Sequence, residues 1–347
     1  MISFTRRNLH ATTVKVAAAV SVAALALTGC SSESADTNSA EPASGEAVAG
    51  ESVTVEDNYG SKTVEQPVEN PAVADNRAFA VLAQWDIKLA AAPLTLVPKS
   101  LRDTYNQDTV EVDLGSHKEP DLESLVAAEP DVVWNGQRFE PHQEDIEALL
   151  EDTPVLDFEP REDKDFFDEL KRHTEAMGQV FGHEEDAQQL IKDFDAAAAR
   201  AKEAYDPEKK VMAVNTSGGE IGYIAPGIGR TYGPVFDLLG MTPALEVSNA
   251  SNDHEGDDIS VEAIAESNPD WILIMDRDSA VAKDGEQVTP GTQLVEENAA
   301  LKNVTALKEG NVYAAPADTY IDESIVTYTQ ILNDMADSFE KADKAGA

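Results

Sequence analysis

Three arginines carry the chemistry that this sequence offers most clearly. Arg230 stands alone between glycines in "GIGRTYG", Gly227 to Gly233, in a segment with almost no other charge. Arg138 and Arg277 each end a stretch of the same design: "LESLVAAEPDVVWNGQR" and "VEAIAESNPDWILIMDR" both read helix, Pro-Asp, apolar strand, arginine, with the arginine eight positions after Pro130 and Pro269. Guanidinium stays protonated and presents a fork of donors to multidentate anionic oxygens, so three of them at one cleft would take an anion. The plainer reading of each one alone is a surface partner for a carboxylate, which contributes only about 0–1 kcal/mol. Equivalent placement at two strand ends favours the shared site, because open α/β sheets bind ligands beyond the carboxyl ends of their strands.

The elements that would position these residues follow from the alternation of short apolar runs with helical patterns. "RAFAVLA", "TVEVDLG", "DVVWNG" and "PVLDF" read as strands in the first half, and "KKVMAVN", "IGYIA", "DWILIMD" and "NVYAAP" in the second. Helical pieces such as "DLESLVAAE", "HQEDIEALLED", "SVEAIAESN" and the run after Ser324 lie between them, a pattern of α/β units with largely parallel sheets. The β-prone runs of "ESVTVEDNYGSKTVEQP" flank a turn and begin the fold. From Glu184 to Tyr205, Leu190, Ile191, Phe194, Ala198, Ala201 and Tyr205 recur at helical spacing, which predicts one long helix bridging two lobes.

The chain's beginning is an address. Arg6, Arg7 and Lys15 precede a short alanine-rich apolar run ending in "LTGC", the order of a secretory signal and too short for a membrane span of roughly 20 apolar residues. Leu27-Thr28-Gly29-Cys30 resembles a bacterial lipobox, whose cysteine becomes the lipidated N-terminus. Cys30 is the only cysteine, so no internal disulfide is available and the fold must stand on its core. The serine-, alanine- and glutamate-rich stretch after it has the composition of a disordered tether. The segments expected are therefore a signal over 1–29, a tether over 30–50, a first α/β lobe over 51–183, the linking helix over 184–205 and a second α/β lobe over 206–347.

With 66 acidic and 26 basic residues the chain carries a formal net charge of −40, and losing the three cations of the signal takes it to −43. Such a surface repels nucleic acid and anionic lipid, and each clustered arginine gains meaning from it. The six histidines show no metal-ligand spacing, which disfavours a zinc or manganese carrier. No G-x-S-x-G elbow, HExxH motif or phosphate loop is present, which leaves a secreted hydrolase as the weak alternative from another class. Trp134 and Trp271 lie inside apolar strands and read as core or cleft wall and not as a stacking platform, and Tyr232, beside Arg230, is counted with the cleft, with packing under the loop as its alternative.

In content and order, "GSHKEPDLESL", "EPDVVWNGQR", "GIGRTYGPVFDLLG", "DHEGDDISVEAIAESNPDWILIMDR" and "LVEENAALKNVTALKEGNVY" resemble the iron-siderophore-binding lipoproteins of ABC importers, nearest to their catecholate group, which includes petrobactin and enterobactin-type binders. The similarity spans about Glu51 to Asp343. It implies two Rossmann-like lobes joined by a single long helix, as in class III periplasmic binding proteins, and a cleft where Arg138, Arg230 and Arg277 face a ferric siderophore. It also implies no intrinsic cofactor, a monomer held to the membrane by lipid on Cys30, and delivery to an ABC permease and its ATPase. Thr231 interrupts the family's loop pattern, which has no residue between the arginine and the aromatic ring, so Arg230 could be displaced. His254 in "DHEG" and Tyr320 in "DTYI" stand where some relatives complete the iron's coordination, although the loop after His254 is one residue longer and the neighbouring tryptophan is absent. A haem carrier clamped by His254 and Tyr320, with arginines on the propionates, is the other transport reading.

Overall fold

The two Pro-Asp stretches fold alike. In the computed structural model, which describes residues 51–283 and 285–346, Glu129 and Asn268 both take positive φ (48° and 44°) just before Pro130 and Pro269. The aspartates that follow tie down the neighbouring strand: Asp131 accepts the Glu69 and Asn70 amides at 2.6 and 2.9 Å, and Asp270 accepts the Lys210 amide at 2.8 Å. The same local chemistry thus starts an equivalent parallel strand pair in each half.

In the first half, β1 (Ser52–Asp57) and β2 (Gly60–Glu65) form the expected hairpin. Then come β3 (Pro71–Val73), α1 (Phe79–Gln84), β4 (Ala91–Ala92), β5 (Val112–Asp113), the small hairpin β6 (Gly115–Ser116) and β7 (Glu119–Pro120), α2 (Leu122–Ala127), β8 (Val132–Asn135), α3 (Gln143–Leu149), β9 (Val155–Asp157) and α4 (Phe166–Phe181). The sheet is all parallel, in the order β5-β4-β3-β8-β9. One expected element needs correction. "RAFAVLA" is not a strand but α1, because an alanine-rich apolar run of that length suits a buried helix as well as a strand; the strand is the earlier Pro71–Val73. Helix α4 was not anticipated; Asp165 caps it by accepting the Phe167 and Asp168 amides.

Helix α5 (Glu184–Ala204) joins the halves. The second half holds β10 (Lys210–Ser217), β11 (Glu220–Ile224), α6 (Tyr232–Leu239), β12 (Thr242–Pro243), α7 (Val261–Ser267), β13 (Trp271–Asp276), α8 (Arg277–Val281), α9 (Gly291–Glu296), α10 (Thr305–Glu309), β14 (Val312–Ala314) and α11 (Ile325–Gly346). Its sheet runs β11-β10-β13-β14, with β12 also beside β10; only β11 is antiparallel. Alternation along the strands sorts the core. Val211 and Ala213 of β10 and Trp271, Leu273 and Met275 of β13 join one buried cluster, while Met212, Val214, Ile272 and Ile274 face the other way into a second. The first cluster is continuous through α5 and α11 with the core of the first half, including Phe79, Val133 and Trp134.

The expected signal, Cys30 and the expected tether, residues 1–50, lie outside the described residues. Among the described residues no helix is long and apolar enough to cross a membrane.

Candidate functional site

Arg138 and Arg277 lie just past the carboxyl ends of equivalent strands. Arg138 sits in a 3-10 helix, Gln137–His142, after β8, and Arg277 opens α8 after β13, where Asp276 caps the helix by accepting the Ser279 amide. The turn to Arg138 depends on Gly136, whose φ of 151° and closeness to Asp75 exclude a side chain: a Cβ there would stand 2.9 Å from Asp75 Oδ2. Asp75 cannot retreat, since it is fully buried, contacts His173 Nε2 at 2.8 Å and accepts the Arg77 amide at 2.8 Å. Gly136→Ala is therefore expected to destabilise the protein by about 2 kcal/mol, seen as a lower urea midpoint with unchanged slope.

Tyr320, in the segment between β14 and α11, is the centre of the site. The guanidinium carbons of Arg138, Arg230 and Arg277 lie 5.2, 4.3 and 5.3 Å from the centroid of its ring, and the residue is 2% exposed. Burial pushes its hydroxyl up, but hydrogen bonding by Arg277 and the charges of Arg230 and Arg138 outweigh that and hold it below the usual tyrosine range. The structure thus brings together the three arginines and Tyr320.

The arginines differ in what they have left to give. Arg230 donates through Nε and Nη2 to Glu323 Oε2 at 3.1 and 2.8 Å and through Nη2 to the Tyr320 carbonyl at 2.7 Å. In contrast, Nε and Nη2 of Arg138 and Nε of Arg277 are buried without a hydrogen-bond partner among the described residues. Arg277 reaches Ser217 Oγ at 3.0 Å and lies 3.8 Å from the exposed carboxylate of Glu255. Buried donors are nearly always satisfied, so these orphans mark where an acceptor would sit.

Thr231 explains how the extra residue in the loop is absorbed. It adopts φ 61°, rare for a β-branched residue, and donates at 2.6 Å to the second oxygen of Glu323, so Arg230 still faces the cleft. The neighbouring glycines serve the loop itself: a Cβ on Gly229 would stand 2.5 Å from the Ala225 amide nitrogen, so close packing on the preceding strand, not approach to a ligand, excludes a side chain there. Tyr232 is corrected from cleft wall to core. It opens α6 with its ring turned inward and wholly buried, and its hydroxyl donates to the Ile274 carbonyl at 3.3 Å.

A second chamber adjoins this cluster, a cavity of about 330 Å³ lined by Arg77, Glu159, Phe166, Arg230, His254 and Glu323 among others. His254 lies on its wall with a side chain 58% exposed, flanked by Asp253 and Glu255 at 3.8 and 3.9 Å. Arg77, Glu159, Phe166 and Glu323 carry no mark in the sequence that points to this cavity. Arg77 pairs with Glu159 at 2.6 Å, and Glu323 is buried; burial raises its pKa, yet Arg230 and Arg77 hold it below the usual carboxylate range. Trp134 and Trp271 are core, as their strands implied. Glu129 and Glu266, close before the two Pro-Asp steps, are exposed and precede β8 and β13, at the strand ends opposite Arg138 and Arg277.

The halves are tied beside the site. Asp318 accepts the amides of Lys99 and Ser100 at 3.1 and 2.8 Å, Lys99 Nζ donates to the Ser279 carbonyl at 2.7 Å, and Asn76 donates to the Ile321 carbonyl.

Comparison with known proteins adds the following. Residues 72–319 match the family described as periplasmic binding protein. The chain is 27% identical over 256 residues to the petrobactin-binding protein YclQ of Bacillus subtilis, covering 73% of this chain and 76% of that one. It is 29% identical over 290 residues to the ferric-anguibactin-binding protein FatB of Vibrio anguillarum, covering 81% and 85%. The crystal structure of the periplasmic catecholate-siderophore binding protein VctP of Vibrio cholerae superposes with a TM-score of 0.70 at 25% identity, over 82% of this chain and 99% of that one.

Proposed function

The chain belongs to the periplasmic binding protein family, and from that premise we propose that it captures a ferric siderophore of catecholate type and hands it to an ABC permease driven by an ATPase. The observation that carries this reading is the convergence of Arg138, Arg230 and Arg277, drawn from both halves, on one buried ring. In a protein of net charge −40 such a focus of positive charge is suited to an anion and to little else. The named relatives bind petrobactin, ferric anguibactin and catecholate siderophores, which agrees with that chemistry. Their names describe binding proteins, and we read this chain likewise as a carrier without catalysis or resident cofactor. Membership in the family implies export; lipid attachment at Cys30 and a monomeric state belong to the proposal.

Arg138 and Arg277 are assigned as ligand donors and Arg230 as their partner across Tyr320. Tyr320 and His254 are assigned as iron ligands for complexes that leave coordination positions open. Support for the first is the local field, which favours phenolate, and for the second its place on the cavity wall. Tyr320→Phe is expected to move the ligand-to-metal charge-transfer band of the loaded protein; an unchanged spectrum with retained binding would remove Tyr320 from the coordination sphere.

The function itself is tested by fluorescence quenching with ferric catecholates, ferric hydroxamates and haem. Saturable quenching by catecholates, without a shifted Soret band on adding haem, is the expected result. Binding of haem, or of hydroxamates in preference to catecholates, would overturn it.

A further inference from the structure

The charges in the cleft do not all point one way, and the exception is informative. Four guanidinium groups, Arg77, Arg138, Arg230 and Arg277, lie around Tyr320 and the adjoining cavity. Two carboxylates stand among them. Glu159 takes up Arg77 at 2.6 Å, and Glu323 takes up Arg230 at 2.8 Å. Four positive charges against two negative ones leave two, and they reside on Arg138 and Arg277, neither of which has a carboxylate as close as Glu159 and Glu323 are to theirs; both carry buried nitrogens without a partner among the described residues, as does Arg77 at Nε. Glu255, 3.8 Å from Arg277 but exposed, lowers the balance further, and a Tyr320 phenolate would do so again.

Glu323 is not a casual neighbour. Its side chain is 5% exposed, both oxygens are engaged, one by Arg230 and the other by Thr231 at 2.6 Å, and Thr231 holds a rare backbone conformation to make that contact. If the cleft were built only to maximise attraction for an anion, a carboxylate buried against one of its arginines would work against that end. It weakens the hold on any anion, and most on the one carrying the greatest charge, because the repulsion scales with ligand charge.

We infer that Glu323 is a specificity-determining residue, a built-in counter-charge that tunes the cleft to ferric complexes of low negative charge and against trianionic ones. The inference rests on the siderophore reading and refines it. Ferric ion with three dianionic catecholates is a trianion; with two it is a monoanion. The arrangement favours the second class relative to what three unopposed arginines would select. A rival role for Glu323 is mechanical, holding Arg230 in place. Glutamine can keep that hydrogen bonding while removing the charge, so the two roles separate experimentally.

The test measures dissociation constants of the protein for a ferric tris-catecholate and a ferric bis-catecholate, in wild type and in Glu323→Gln, at two salt concentrations. The expected result is that Glu323→Gln shifts the affinity ratio toward the trianion by about tenfold or more, with a smaller shift at high salt. Glu159→Gln, which removes the other carboxylate from the opposite half, is expected to shift the ratio the same way and serves if the first variant does not fold. An unchanged ratio in the folded variants, including equal weakening of both complexes, overturns the counter-charge role and leaves Glu323 a clamp. Failure of wild type to bind either complex would instead remove the siderophore reading, and this inference with it.

Discussion

Arg138→Ala and Arg277→Ala are each expected to weaken ferric catecholate binding by about 100-fold or more, the size associated with truncating one member of a buried charged hydrogen-bonded pair. Both residues present buried donors that no described group satisfies, so their removal takes contacts from the ligand and few from the fold. Arg230→Ala is expected to behave differently. Its donors are already given to Glu323 and the Tyr320 carbonyl, and its loss leaves a buried carboxylate unpaired, so stability falls together with affinity. Titration alongside thermal melts distinguishes the cases. Wild-type affinity in Arg138→Ala and Arg277→Ala would remove the proposed site even if the protein binds siderophores elsewhere.

The second large effect concerns pH. Asp157, at the end of β9, is buried, and despite hydrogen bonds from the Glu159 amide and Asn58 its pKa is pushed up to about 7 by that burial and by the charges of Glu159 and Asp75. Asp322, also buried, is pushed up to about 6. A carboxyl whose folded-state pKa lies above its unfolded value stabilises nothing by ionising. The folded state holds the proton longer, so stability is lost as pH rises from about 4 through the folded pKa. Asp157→Asn keeps an acceptor and removes the ionisation. At pH 8 it is expected to melt about 5 °C above wild type, with the difference gone below pH 4. A constant difference across that range would show that Asp157 stays charged in the folded protein.

How much of this was legible beforehand depended on range. The Pro-Asp repeat was local, and it placed Arg138 and Arg277 at equivalent strand ends because helix, turn and strand are specified within about 17 residues. The strand Pro71–Val73 was hidden by its brevity, and the run of α1 beside it was misread because apolarity without periodicity does not separate helix from strand. Tyr232 was assigned to the cleft through its nearness to Arg230, yet the positive φ of Thr231 turns the chain between them and sends the ring to the core. Glu323 and Glu159 were out of reach for another reason. Their arginine partners lie 93 and 82 positions away, and nothing local marks two carboxylates among 66 acidic residues.

The place of α11 bears on when this protein can fold. Ile331, Leu332, Met335, Ala336 and Phe339 of α11 sit in the same buried cluster as Phe79 and Val133 of the first half. The first half therefore cannot complete its own interior until α11, which begins 144 residues after α4 ends at Phe181, has been made. A first half built this way stays loose until α11 is available to pack against it. Trimming α11 would take from both halves an interior wall they share and leave α5 alone between them.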